Sequence, residues 1–150
     1  MNTILESAFT YEVGLTKRKL KYPKTHITCF DSAVKYIRKF YSKDIGIYES
    51  AFILLLNRQN ETIGYAKIAQ GGISSAVIDI RILAKYCIET LASGCIFAHN
   101  HPSGNLDPSE DDRAVTERIK TTLQMFNCTL QDSIILTEQG AHSIIHNHTI

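Results

Sequence analysis

The chain carries His99-Asn100-His101, then seven residues, then Ser109-Glu110-Asp111-Asp112, giving the pattern H-x-H, spacer, S-x-x-D. Two imidazoles, a hydroxyl and a carboxylate are the groups needed to hold one Zn²⁺ and to stabilise the oxyanion of an attacked carbonyl. The apolar run Cys95-Ile96-Phe97-Ala98 leads straight into the histidines, which sets both at the end of a buried strand. Alternate strand residues point the same way, so His99 and His101 converge on one ion while Asn100 turns to the opposite face. The second half of the pattern is also how a helix begins: Ser109 as N-cap, with Glu110, Asp111 and Asp112 facing the positive end of the helix dipole. Capping and metal binding are compatible roles for these residues.

A catalytic zinc keeps three protein ligands and an open position, and hydrolysis needs a further group to take a proton from water. A carboxylate outside the ligand set is the usual solution. Glu49, within Ile45 to Asn57, stands at the mouth of an otherwise apolar strand, but Glu89, Glu110 and Asp111 are also within sequence reach. An acid at a strand start is commonly a solvated loop residue, so the residues alone leave this choice open.

The words Ala98-His99-Asn100-His101-Pro102-Ser103-Gly104-Asn105, Pro108-Ser109-Glu110-Asp111-Asp112, Thr116-Glu117-Arg118-Ile119 and Glu49-x-x-Phe52-x-Leu54-Leu55-Leu56-Asn57-Arg58 carry a family resemblance. From about residue 30 onward, the chain resembles the RadC-type branch of the JAMM (MPN+) metallohydrolases. The resemblance implies that His99, His101 and Asp112 bind one zinc per chain. It also implies that Glu49, seven residues before Leu56, is the general acid/base, and that Ser109 donates a hydrogen bond to the oxyanion. It further implies a JAMM/MPN+ fold, related in architecture to cytidine deaminases, and cleavage of an amide or isopeptide bond. RadC-type proteins are named for a DNA-repair association. The alternatives are therefore a metal-dependent enzyme acting on nucleic acid and a non-enzymatic, zinc-stabilised accessory module for DNA-processing partners. Two positions depart from the family pattern: Asp132-Ser133 stands where Asp-His is common, and Ile80-Arg81 where Pro-Arg is common. Longer relatives carry a helix-hairpin-helix region before this domain. The expected organisation here is an N-terminal arm over 1–28 and the JAMM-like domain over 29–150.

At 150 residues and 44% hydrophobic content, one domain can bury a substantial core without staples. Sixteen basic residues against fifteen acidic ones give no strong overall attraction to nucleic acid or anionic membrane. Any nucleic-acid contact must be local, and Lys17, Arg18, Lys19, Lys21 and Lys24 beside Tyr11 and Tyr22 are the candidate cluster; the plainer reading is a solvated arm. No apolar stretch reaches the roughly 18 residues of a membrane span, and no signal-peptide pattern opens the chain, so a cytoplasmic protein is expected. Cys29, Cys87, Cys95 and Cys128 form no C-x-x-C and read as small core residues without disulfides. The letters H-N-H are no HNH nuclease motif, and the H-x-E with a later P-C-x-x-C of zinc deaminases is missing.

Periodicity supplies the elements that must hold these groups. Ala33, Val34, Ile37 and Phe40 mark a helix from Asp31 to about Tyr41 behind an Asp-Ser cap. Two strands, about Ala51 to Asn57 and Thr62 to Ala69, flank the polar turn Arg58-Gln59-Asn60-Glu61 as an antiparallel hairpin, with Gly71-Gly72 ending the second. Ile80, Leu83, Ala84, Cys87, Ile88, Leu91 and Ala92 form one stripe of a second helix facing the sheet, and the buried strand carrying His99 follows. A third helix starts at Ser109 with Val115, Ile119, Thr122, Leu123 and Phe126 inward. Strands at about Thr129 to Thr137 and His142 to Ile145 close the chain. The expected fold is α/β: a central mixed sheet sandwiched by helices, with the site at one strand end. His146 and His148 repeat the H-x-H spacing with no acid nearby, and the tail from His142 onward is expected to be mobile rather than a second metal site. His26 reads as a surface or packing residue.

Overall fold

The fold follows from strands whose two faces are both apolar. In β1 (Ser50–Leu56) every side chain is buried, and the same holds for β3 (Gly94–Asn100). Such strands can lie only between two covering layers. The computed structural model describes residue 16 and residues 22–71 and 77–150. It contains one six-stranded mixed sheet of order β2-β1-β3-β4-β5-β6, built from β1, β2 (Thr62–Gln70), β3, β4 (Thr129–Leu136), β5 (Ala141–Ser143) and β6 (His148–Thr149). Only β3 and β4 run parallel, because the helix between them carries the chain back across the sheet; the other neighbours are antiparallel.

Among the described residues, three α-helices cover the sheet: α1 (Phe30–Ile37), α2 (Ile80–Glu89) and α3 (Glu110–Gln124). Strand parity decides which side chains meet which layer. Ala51, Ile53 and Leu55 of β1, with Cys95 and Phe97 of β3, pack against Leu83, Ala84 and Cys87 of α2 and Ile119 and Leu123 of α3. Leu54 and Leu56, with Ile96 and Ala98, pack on the opposite face against Ala33, Val34 and Ile37 of α1. Past α1, a 3₁₀ turn at Arg38–Phe40 brings the Arg38 guanidinium onto the Thr137 and Gly140 carbonyls, at 2.9 and 3.0 Å, which ties the α1 layer to the β4–β5 turn.

Element types and order agree with the sequence reading, and the differences are local. The first helix begins a residue earlier than expected. Its cap is Cys29, with the Ser32 hydroxyl at N3 accepting from the Cys29 N–H (3.0 Å) and donating to the Cys29 carbonyl (2.7 Å). Cys29 is therefore exposed rather than core, whereas Cys87, Cys95 and Cys128 are buried as expected. Ile88 and Leu91, assigned to the inner stripe, are 44% and 85% exposed; Leu91 lies past the end of α2 at Glu89 and enters a left-handed turn at φ 52°. Phe126, also assigned inward, is 49% exposed because α3 ends two residues before it. The tail is ordered against expectation: Ala141 and Ile150 exchange both backbone hydrogen bonds at 2.9 Å, which adds β6 to the sheet edge. There His142 Nδ1 meets Thr149 Oγ1 at 2.7 Å, His146 reaches the Gln131 carbonyl and His148 packs edge-on against Phe30. Each tail histidine thus has a structural partner. His26 is exposed, as expected, in a bridge to Glu61.

Ile119 is fully buried between α3 and the sheet, whereas Met125 is 79% exposed. Ile119→Ala should lower the unfolding free energy by about 2–5 kcal/mol in urea titrations, and Met125→Ala should stay within about 0.5 kcal/mol.

Candidate metal centre

The centre is built where β3 ends, α3 begins and β1 starts. Residues of β1 and β3 pair so that Ala51 faces His99. Glu49 lies two residues before Ala51, just ahead of β1, and its charge acts on His101. His99 projects to the α2/α3 side by parity with Phe97, whose ring stacks on it at 5.6 Å between centroids. His101 follows after one more alternation, its N–H donating to the Leu136 carbonyl of β4 at 2.8 Å. The chain then turns through Gly104, whose φ of 85° suits a residue without Cβ. This turn brings the Asn105 carbonyl to His101 Nδ1 at 2.7 Å. A proton held on Nδ1 by that bond leaves the Nε2 lone pair free to face the site.

The third group arrives on α3. Ser109 is its N-cap, accepting from the Asp112 N–H at 3.0 Å, while the Asp112 carboxylate accepts from the Ser109 N–H at 2.8 Å. This reciprocal box fixes the carboxylate at the first turn. One oxygen lies 2.9 Å from His99 Nε2 and the other 3.2 Å from His101 Nε2; the two Nε2 atoms are 3.1 Å apart. One turn further along α3, the Thr116 hydroxyl pairs with Ser133 of β4 at 2.8 Å, both buried, which holds the start of the helix to the sheet. Ser133 is one of the two departures from the family pattern, and in this chain it anchors the helix that carries Asp112.

Burial alone would push the Asp112 carboxyl up, but hydrogen bonds from His101 and His99, the charge of His99 and the Ser109 N–H outweigh it and hold the group well below the usual carboxylate range. Asp112 correspondingly raises His101, against the opposing effect of burial, with smaller help from the Asn105 carbonyl and the Glu49 charge. His99 Nδ1 is buried with no hydrogen-bond partner among the described residues. Three donor atoms, one from each residue, lie within 4.8 Å of one another. Two imidazole nitrogens and a carboxylate crowding their lone pairs onto one point are relieved by a cation, and the set fits a zinc-type ion with three protein ligands and one open position.

Glu49 is half-buried beside this set, and its charge bears on both His101 and Tyr41. Its segment is held by Asn100, the residue between the two histidines. The fully buried Asn100 amide accepts from the Ser50 N–H at 2.7 Å and donates to the carbonyls of Ile45 and Tyr48 at 2.6 and 2.7 Å. Tyr41 adds a bond from its hydroxyl to the Ser50 carbonyl at 2.9 Å, and burial, then the Glu49 charge, push that hydroxyl above its ordinary range. The sequence turns Asn100 to the opposite face without assigning it a task, and nothing in the local pattern marks Tyr41.

Of the other acids considered as the base, Glu110 and Asp111 are exposed on the first turn of α3, and Glu89 lies at the far end of α2. Within the basic cluster, Lys17, Arg18, Lys19 and Lys21, with Tyr11, lie outside the described residues, as does Gly72. Lys24 is described and forms an ion pair with Glu61 at 2.9 Å, and Tyr22 donates to the Lys39 carbonyl. No helix among the described residues is long and apolar enough to cross a membrane.

A mixed sheet covered by helices on both faces, with two strand histidines and a helix-cap aspartate converging at its edge, defines an α/β domain with a candidate metal centre. The family model described as the RadC-like JAB domain matches residues 27–149, and the chain belongs to that family. It is similar to UPF0758 proteins of Flavobacterium johnsoniae (37% identical over 98 residues, 65% of this chain and 43% of the relative) and Porphyromonas gingivalis (35% over 94 residues, 63% and 41%). A Vibrio cholerae UPF0758 protein is 37% identical over 107 residues, covering 70% of this chain and 66% of the relative. The chain thus spans less than half the length of the first two.

Two outcomes test this geometry. Asn100→Ala leaves the Ser50 N–H and two carbonyls without their partner and should cost at least about 1–3 kcal/mol of stability by denaturant titration. In metal-free protein, His101 has a folded pKa above its ordinary 6.5, so its contribution is full below that value and lost as pH rises through the folded one. The thermal midpoint of metal-free protein should therefore fall across that interval. Added metal should stabilise more strongly there, because it competes with the proton for His101. A flat metal-free profile would show that the His101–Asp112 pair is not formed.

Proposed function

We propose that this domain is a zinc-dependent hydrolase that cleaves an amide or isopeptide bond in a peptide or protein substrate. The observation that carries the reading is the convergence of His99, His101 and Asp112 on one point, with the charge of a further acid, Glu49, acting on His101. A purely structural metal site closes its fourth position and gives a neighbouring carboxylate no task. That is the argument against an accessory module. The nucleic-acid reading rests on a basic cluster of which Lys24 alone is described, and Lys24 pairs with Glu61.

His99, His101 and Asp112 would hold the ion, which when bound lowers the pKa of water toward about 7 and polarises a carbonyl. Glu49 takes the proton from the attacking water as its oxygen bonds to the carbonyl carbon, then returns that proton to the leaving nitrogen as the C–N bond breaks. The Ser109 oxygen already accepts from the Asp112 N–H, so its own hydroxyl proton is left to donate to the oxyanion. Asn105 keeps His101 in the ligating tautomer, and Asn100 and Tyr41 hold the segment from which Glu49 projects.

The test is hydrolysis of a panel of fluorogenic peptide and isopeptide substrates by zinc-loaded protein. Glu49→Gln should abolish turnover. Ser109→Ala should reduce kcat by about 10²–10³ with little change in KM, and should also lose about 1 kcal/mol of stability as the cap is removed. Turnover unchanged in Ser109→Ala would remove its oxyanion role. Cleavage of branched DNA but no peptide, with affinity falling steeply as salt rises, would replace the amide substrate with nucleic acid.

A further inference from the structure

Cys87, Cys95 and Cys128 are far apart in sequence and lie on three different elements. Cys87 is in α2, Cys95 is the second residue of β3, and Cys128 immediately precedes β4. Their sulfurs nevertheless lie within 4.8 Å of one another, and all three residues are almost completely buried. Three ligands around one ion at a metal–sulfur distance of about 2.3 Å would sit about 4 Å apart, so the trio is near a trigonal sulfur site before any ion enters. Its frame is fixed by backbone hydrogen bonds: the Cys87 carbonyl accepts from Ala92 N–H at 3.0 Å, Cys128 N–H donates to the Leu123 carbonyl at 3.1 Å, and Cys95 is held between β1 and β4. The cluster sits four residues before His99 on β3, about 13 Å along the strand, and is separate from the His/Asp centre.

We infer that Cys87, Cys95 and Cys128 form a second, all-sulfur site that takes one soft monovalent cation of the Cu(I) class. Ligand type, number and charge select this class. No imidazole or carboxylate joins the trio among the described residues, which disfavours ions that want a fourth donor, as closed zinc sites do, and favours a soft ion content with three sulfurs. The trio belongs to one buried apolar cluster with Leu55, Leu83, Ala92, Leu123 and Leu130, so a site with net charge would be strongly penalised. One cation with one thiolate and two neutral thiols is uncharged. The sulfur hydrogen bonds favour that protonation: contacts from Cys87 and then Cys95 pull the Cys128 thiol down, while Cys95, facing Cys128 and Cys87, is pushed up. Binding forms three S–Cu bonds, one to the Cys128 thiolate and two to the sulfurs of Cys87 and Cys95, breaks the Cys128 S–H bond with release of its proton to solvent, and changes no oxidation state.

The test is an anaerobic titration of reduced protein with Cu(I) against a colorimetric Cu(I) chelator. It should yield one equivalent withdrawn from the chelator and one proton released per ion. X-ray absorption of that complex should show three sulfur neighbours and no nitrogen. The equivalent should vanish in Cys95→Ser and persist in Cys29→Ser, whose side chain is exposed and remote, and in His99→Ala/His101→Ala. No uptake, retention in Cys95→Ser, loss in the double histidine variant, or a shell containing nitrogen or fewer than three sulfurs would each overturn the assignment. The absorption result on unmodified protein decides the matter even if Cys95→Ser fails to fold.

Discussion

The antiparallel pairing of β1 with β3, with Ala51 facing His99, is the constraint on which the centre depends. A strand has a side-chain period of two, so a slip of one residue would move every inward group to the other face. In this register His99 reaches the α2/α3 side, Asn100 reaches the α1 side, and Glu49, just ahead of β1, is near enough for its charge to act on His101. The register itself is enforced by burial, because both faces of β1 and β3 are covered and each face has its own matching layer. The same apolar packing that stabilises the domain therefore positions the polar groups.

Asp112 shows how one side chain serves two physical demands. As N3 of α3 it accepts from the Ser109 N–H and completes the capping box; as an anion at the strand end it accepts from both imidazoles. The cap restricts the carboxylate to the orientation the histidines need, and the positive end of the helix favours its charge. Reading Ser109 and Asp112 as a helix cap and reading them as site residues are thus not rivals. The buried Thr116–Ser133 pair extends the same logic by fastening α3 to β4 one turn away.

Much of this was legible in the residues. The spacing of His99, His101, Ser109 and Asp112, with an apolar approach and a helix-start signal, pointed to one cluster of side chains, and two-sided hydrophobic runs marked β1 and β3. What periodicity could not carry was information held between distant segments. The Asn100 clamp joins positions 50 or more residues apart, and Tyr41 acts through a segment that sits beside it only after folding. The three cysteines read singly as small core residues, and only the packing of α2 on β3 and the approach to β4 makes them neighbours. Leu91 and Phe126 misled because an apolar stripe does not announce where a helix stops. The tail histidines misled because β6 pairs through backbone groups at a sheet edge, which side-chain pattern barely records.

Metal-dependent hydrolysis requires that the His/Asp set hold a catalytic-type ion. The direct measurement is elemental analysis of tag-free protein as purified, comparing the unmodified chain with His99→Ala/His101→Ala and Glu49→Gln. One zinc per chain, lost in the double histidine variant and kept in Glu49→Gln, is the predicted result. A metal-free unmodified protein, or zinc retained at full stoichiometry without the two histidines, would contradict it.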